Sequence, residues 1–186
     1  KGHKGNDGQL VHIDTEQGLW HCQKVFERVH KMDSNIDSEI YHTFGLRSID
    51  YKMRIEFIDY YLREKIKTPS LVIIDGIADL CSDANNISES NQVVQKLMEW
   101  SAKYKCHIIN VIHQNFGSSK LGTGHLGSFL EKKAETVIQL EANTVNKDWV
   151  TVKCGRSRGY AFETFSFEVN EFGLPQIVGD LYDPLK

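Results

Sequence analysis

Residues Ser70 to Leu80 read SLVIIDGIADL, and the fold turns on how the aspartate in the middle of that stretch is understood. Leu71, Val72, Ile73 and Ile74 form an unbroken aliphatic run, with Pro69 before it and Gly76 shortly after. A strand with one wet face alternates apolar and polar residues. A run without alternation is buried on both faces, as inside a parallel sheet. Asp75 then stands at the carboxyl end of a core strand.

Working outward, strand and helix patterns alternate. QLVHID, Gln9 to Asp14, reads as a strand, followed by a helix in which Leu19, Cys22, Phe26 and Val29 recur at helical spacing. EIYHTFGL reads as a second strand. Ser48 is then the expected cap of a helix with Tyr51, Ile55, Ile58 and Leu62 on one face, ended by KTPS. After the Asp75 strand, SESNQVVQKLMEWSAKYK predicts a helix with Val94, Leu97, Met98 and either Trp100 or Ser101 inward, and CHIINVIH, Cys106 to His113, predicts another buried strand. A glycine- and serine-rich loop, Phe116 to Gly127, precedes three apparent strands, ETVIQLE, WVTVK and ETFSFEV, with little helix between the last two. The expected fold is α/β, a mainly parallel sheet flanked by helices with antiparallel strands at the carboxyl-terminal end.

Bulk properties narrow the function classes. The 186 residues predict one domain spanning 1–186, and 40% hydrophobic with 25% charged residues is an ordinary globular composition. A formal net charge of −3 offers no general attraction to nucleic acid, so any such contact has to come from a local basic patch or a ring of subunits. Cys22, Cys81, Cys106 and Cys154 form no CxxC pair, which argues against a zinc site and a disulfide framework and for a reducing compartment. No apolar run approaches the roughly 20 residues of a membrane span. The expectation is a soluble cytoplasmic protein without membrane contacts.

In a parallel sheet, ligands bind beyond the carboxyl ends of the strands. The polar residues there are Asp14, Thr15 and Glu16 after the first strand, Asp75 after the third, and His113, Gln114 and Asn115 after the fourth. Carboxylates beside an amide or imidazole suit a magnesium-nucleotide site, in which one carboxylate holds Mg²⁺ through water and another activates the attacking water. LVIIDG resembles a Walker B motif. Together with VHIDTEQ, VIHQN and VKCGRSRG in this order, from Gln9 to about Val178, it is similar to the RecA-like ATPases, specifically the DnaB/RepA-like replicative helicases of plasmids and mobile elements.

That resemblance implies ATP and Mg²⁺ as cofactors, Glu16 as general base, Asp75 as the nucleotide and Mg²⁺ carboxylate, and His113 or Gln114 as γ-phosphate sensor. It implies single-stranded or duplex DNA as partner and a homo-oligomeric, hexamer-like ring. Lys153, Arg156 and Arg158, expected at a turn between two strands, would reach a neighbouring subunit's γ-phosphate. The loop carrying Lys120 and His125 would either contact nucleic acid or be a solvated surface loop. One departure is large. GxxxxGK[ST] is absent from the sequence, and KGHKGNDG lacks the Ser/Thr and the following helix of a phosphate loop. The expectation is therefore a RecA-like core lacking its first strand, phosphate loop and helix, a piece of a longer ATPase, inactive on its own. The alternative is a non-catalytic RecA-like module for assembly or partner binding.

Overall fold

The computed structural model describes residues 8–114 and 122–179, and the chain divides into two compact units, Lys1–Lys132 and Lys133–Lys186. The first holds a four-stranded, wholly parallel sheet in the order β2-β1-β3-β4, built from β1 (Gln9–Asp14), β2 (Tyr41–Gly45), β3 (Pro69–Asp75) and β4 (His107–Val111). α1 (Leu19–Met32) links β1 to β2, α2 (Tyr51–Glu64) links β2 to β3, and α3 (Ile87–Tyr104) links β3 to β4.

Strand order and side-chain alternation explain where the helices lie. The chain moves outward from β1 to β2, then reverses and passes over β1 to β3 and on to β4. Right-handed crossovers in opposite directions put their helices on opposite faces. The contacts agree: His12 on β1 meets Phe26 of α1 at 4.9 Å, whereas Phe44, in register with the next residue Ile13, meets Phe57 and Tyr61 of α2 at 5.0 and 4.5 Å. Adjacent residues on a strand point to opposite faces. The core lies on the α2–α3 side, where Val11, Ile13, Val72 and Ile74 pack with Ile58, Leu62, Val93, Leu97 and Trp100. Val72 and Ile74 are fully buried on this side, whereas Leu71 and Ile73 on the other face are only half-buried, so the aliphatic run is not covered equally on both faces as its composition predicts.

The other face of β3 and β4 is less covered. Ile109 and Val111 are 49% and 45% exposed, and β4 pairs only with β3 among the described residues, leaving an open parallel edge.

The second unit is an antiparallel sheet in the order β5-β6-β7-β8, formed by β5 (Thr136–Ala142), β6 (Trp149–Ser157), β7 (Phe165–Val169) and β8 (Pro175–Val178). Its outer strand β8 is short and carries no strong apolar alternation, which is why the sequence pattern did not reveal it.

Several local expectations are corrected. Gly124 to Gly127 are not loop: they begin α4 (Gly124–Lys133), where Leu126, Phe129 and Leu130 supply the i, i+3, i+4 spacing. α2 is capped by Asp50, whose carboxylate accepts the Lys52 N–H, rather than by Ser48. On α3, Trp100 points inward at 1% exposure and Met98 outward at 42%, because Trp100 Nε1 donates to Asp59 on α2 at 2.9 Å. Leu19 is 76% exposed, leaving Cys22 as the buried residue of α1. β6 extends to Ser157, so Lys153 and Arg156 are strand residues, not turn residues; the strand continues because Thr136 and Val137 on β5 supply partners for Ser157 and Arg156. Among the described residues, no helix is long and apolar enough to cross a membrane.

Candidate functional site

β1 and β3 are neighbours whose following segments leave in opposite directions, β1 toward β2 through α1 and β3 toward β4 through α3. Such a reversal opens a crevice at the carboxyl ends of the two strands, the place where open α/β sheets bind ligands. Asp14 and Asp75 are register partners at this point, and both carboxylates therefore stand side by side at the crevice.

The turn after β1 is built around Asp14. Its Oδ1 accepts the N–H groups of Glu16 at 3.0 Å and Gln17 at 2.8 Å, an Asx-type turn that brings Glu16 over the sheet edge. Its Oδ2 is buried with no hydrogen-bond partner. Thr15 ties the turn to β3, donating its N–H to the Asp75 carbonyl at 2.9 Å, while its hydroxyl donates toward the carbonyls of Asp75 and Gly76 at 3.0 and 2.8 Å. Gly76 has φ of 94°, and a Cβ there would collide with Thr15 Oγ1 and Glu16 Cγ. Glycine is required both for the left-handed backbone and for this close approach. The aliphatic strand thus ends in "Asp-Gly" because the next residue has to make room for Glu16.

His113, two residues beyond β4, completes the arrangement: its Nε2 lies 3.1 Å from Glu16 Oε2. His113 is also anchored through its backbone, its carbonyl accepting the N–H and hydroxyl of Thr123 at 3.0 and 2.7 Å. The electrostatics follow from crowding. The Asp75 carboxyl is raised above its ordinary value by burial first, then by the charges of Asp14 and Glu16, with His113 acting in the opposite sense. The Cys22 thiol, under the same edge, is pushed up to about 11 by burial and then by Asp14, which leaves it protonated and unreactive. Among the described residues, no group of three or more His, Cys, Asp and Glu side chains is arranged to hold a metal ion by itself.

Of the residues singled out in the sequence, the first unit brings together Glu16, Asp75 and His113. Gln114 lies beside them in the chain, in an isolated antiparallel bridge with Gly122. His125 sits on α4, stacked on Phe129 at 6.1 Å, and Lys120 lies outside the described residues. In the second unit Lys153 Nζ is bound to Glu141 Oε2 on β5 at 2.6 Å, Arg156 is in register with Val137, and Arg158 donates from Nε to the Ala134 carbonyl at 3.3 Å. Asp14 had no assigned role from sequence beyond its place at the end of the first strand, where an aspartate is well suited to accept the backbone N–H groups of the following turn. No family model matches the chain, and neither does any curated protein.

Proposed function

We propose that this chain is the hydrolytic core of a RecA-like ATPase of the DnaB/RepA type, using ATP and Mg²⁺ and acting on DNA in a homo-oligomeric ring. The observation that carries the reading is the Glu16–His113 pair beside Asp14 and Asp75 at the crevice between β1 and β3. In this reading Glu16 orients the attacking water and accepts its proton as the oxygen bonds to the γ-phosphorus and ADP leaves. His113 holds the Glu16 carboxylate in place and responds to the γ-phosphate.

The donor set suits a divalent cation. The partnerless Oδ2 of Asp14 and the raised Asp75 carboxyl are both relieved by positive charge, and Asp75 would hold Mg²⁺ through water. Mg²⁺ prefers to share its shell with waters and phosphate oxygens, so a site without three protein ligands is compatible with it. When bound, the ion neutralises charge developing on the phosphate oxygens. The phosphates themselves need a backbone N–H cradle that GxxxxGK[ST] would supply and this sequence does not contain. The open edge of β4, with Ile109 and Val111 uncovered, offers a seat beside the crevice for a further strand bearing that loop. Arg156 and Arg158 would act in trans on a neighbour's site. Without the loop, the second reading is a non-catalytic RecA-like assembly module.

The test is Glu16→Gln in the polypeptide that carries the loop. Mg-ATP affinity should be unchanged by titration calorimetry while kcat falls by roughly 10²-fold or more. Turnover at the normal rate would remove Glu16 from the role of base.

A further inference from the structure

We propose that the outward face of α1 binds single-stranded nucleic acid, with Trp20 as a stacking platform and Lys24, Arg28 and Lys31 as phosphate contacts. This surface faces away from Cys22, the α1 residue beside the carboxylate crevice, and its binding does not depend on whether that crevice hydrolyses nucleotide. At about 100° per residue, Trp20, Lys24, Arg28 and Lys31 fall within about 80° of the helix circumference, opposite Cys22 and Phe26, and they span about 16 Å along the axis. α1 therefore turns its buried face toward His12 and Tyr41 and a basic, aromatic stripe toward solvent.

Trp20 is 61% exposed, an uncommon position for so large a ring. It is nonetheless held: Lys24 Nζ lies 3.5 Å from the ring centroid over one face, and the His21 ring meets it edge-on at 4.6 Å and 88°. The cation and the imidazole orient the indole, and its 61% exposure leaves ring surface that a planar group can reach. The charge of the stripe is positive, with Lys24, Arg28 and Lys31 against Glu27 alone, in a chain whose formal charge is −3. Glu27 is drawn aside by Gln23, whose Nε2 donates to Oε1 at 2.8 Å. Among the described residues, no ion pair engages Lys24, Arg28 or Lys31.

A protein-docking tryptophan is ringed by apolar neighbours. Here Leu19 and Met32 are the exposed apolar residues of the helix, one at each end, while the residues in line with Trp20 are the cations Lys24, Arg28 and Lys31, which complement a phosphate backbone as the indole complements an unstacked base. A duplex buries its base faces in the stack and offers nothing to Trp20, so the complementary partner is single-stranded.

Fluorescence anisotropy of labelled oligo(dT), oligo(U) and a duplex of equal length, titrated with the whole 186-residue chain, tests this. Either single strand should bind at least several-fold more tightly than the duplex, and the tighter of the two names the partner as DNA or RNA. Trp20→Ala should weaken that binding roughly tenfold, and Trp20→Phe should keep most of it. Lys24→Gln with Lys31→Gln should reduce the slope of log affinity against log salt by about 1.4. These positions are solvent-exposed, so an unchanged circular dichroism spectrum and melting midpoint will show that the variants are folded. Absence of strand binding, preference for the duplex, or unchanged affinity in folded Trp20→Ala would overturn the proposal.

Discussion

Asp75 illustrates how a single carboxylate at a candidate site can be costly to the fold. Its carboxyl sits in a half-buried crevice with Asp14 and Glu16 as like-charged neighbours, and its proton affinity is higher folded than unfolded. A group of this kind stabilises the folded state when protonated. That contribution is complete below the ordinary carboxylate range and is lost as pH rises through the raised value. Asp75→Asn removes the ionised form while keeping the shape. The expected outcome is a higher thermal midpoint than wild type at pH 7, with the gain shrinking at pH 4, read by calorimetric scans at both pH values. An equal gain at the two pH values, or a loss at pH 7, would mean that charge crowding is not what strains this position. Functional sites commonly carry such a stability cost.

At the scale of elements, β3 and β4 are neighbours with similar aliphatic composition and opposite environments. Ile74 is fully buried beneath α2 and α3, whereas Ile109 is 49% exposed on a strand with one open edge. The same truncation should therefore separate them. Ile74→Ala is expected to cost about 2–5 kcal/mol, through lost burial and a cavity, and Ile109→Ala less than about 1 kcal/mol. Urea unfolding with unchanged slope and shifted midpoint measures both. A large cost at Ile109 would show that this face is already covered. The aliphatic run CHIINV thus reads as a doubly buried strand by composition, yet its burial alternates in the fold because burial depends on what lies against each face.

For the whole molecule, the hydrophobic core belongs to the first unit, and Val152 is the one buried residue of the second unit among the described residues. The second unit instead displays polar cross-strand pairs, Lys153 with Glu141 and Trp149 with Glu168. It also carries Arg156 and Arg158, whose proposed action in trans makes activity a property of the assembly. In the proposed ATPase ring, subunits with Arg156→Ala and Arg158→Ala mixed with Glu16→Gln subunits should recover part of the activity that each lacks alone. A mixed interface can pair an intact base with intact arginines. Mixed rings verified by native mass spectrometry and still inactive would leave these arginines with another role.

The sequence by itself determined the alternation of strand and helix, the burial of Val72 and Ile74 and the position of Asp75 at a strand's carboxyl end, because these follow from local pattern; that Leu71 and Ile73 are only half-buried was decided by what covers the other face. It also marked Glu16 and His113 as polar strand-end residues. Only the tertiary structure decided that they meet at 3.1 Å across 97 positions of chain, since that depends on β1, β3 and β4 being adjacent and in register. The same holds for Gly76, whose necessity comes from the approach of Thr15 and Glu16, and for Arg156, drawn into a strand by the pairing of β6 with β5. α4 was hidden for a different reason: its glycines and serine read as loop, and the packing of Leu126, at 0% exposure, with Phe129 and Leu130 against the core offsets their weak helix propensity. Local preference is written along the chain, whereas register and strand order are settled by long-range contacts that no short window contains.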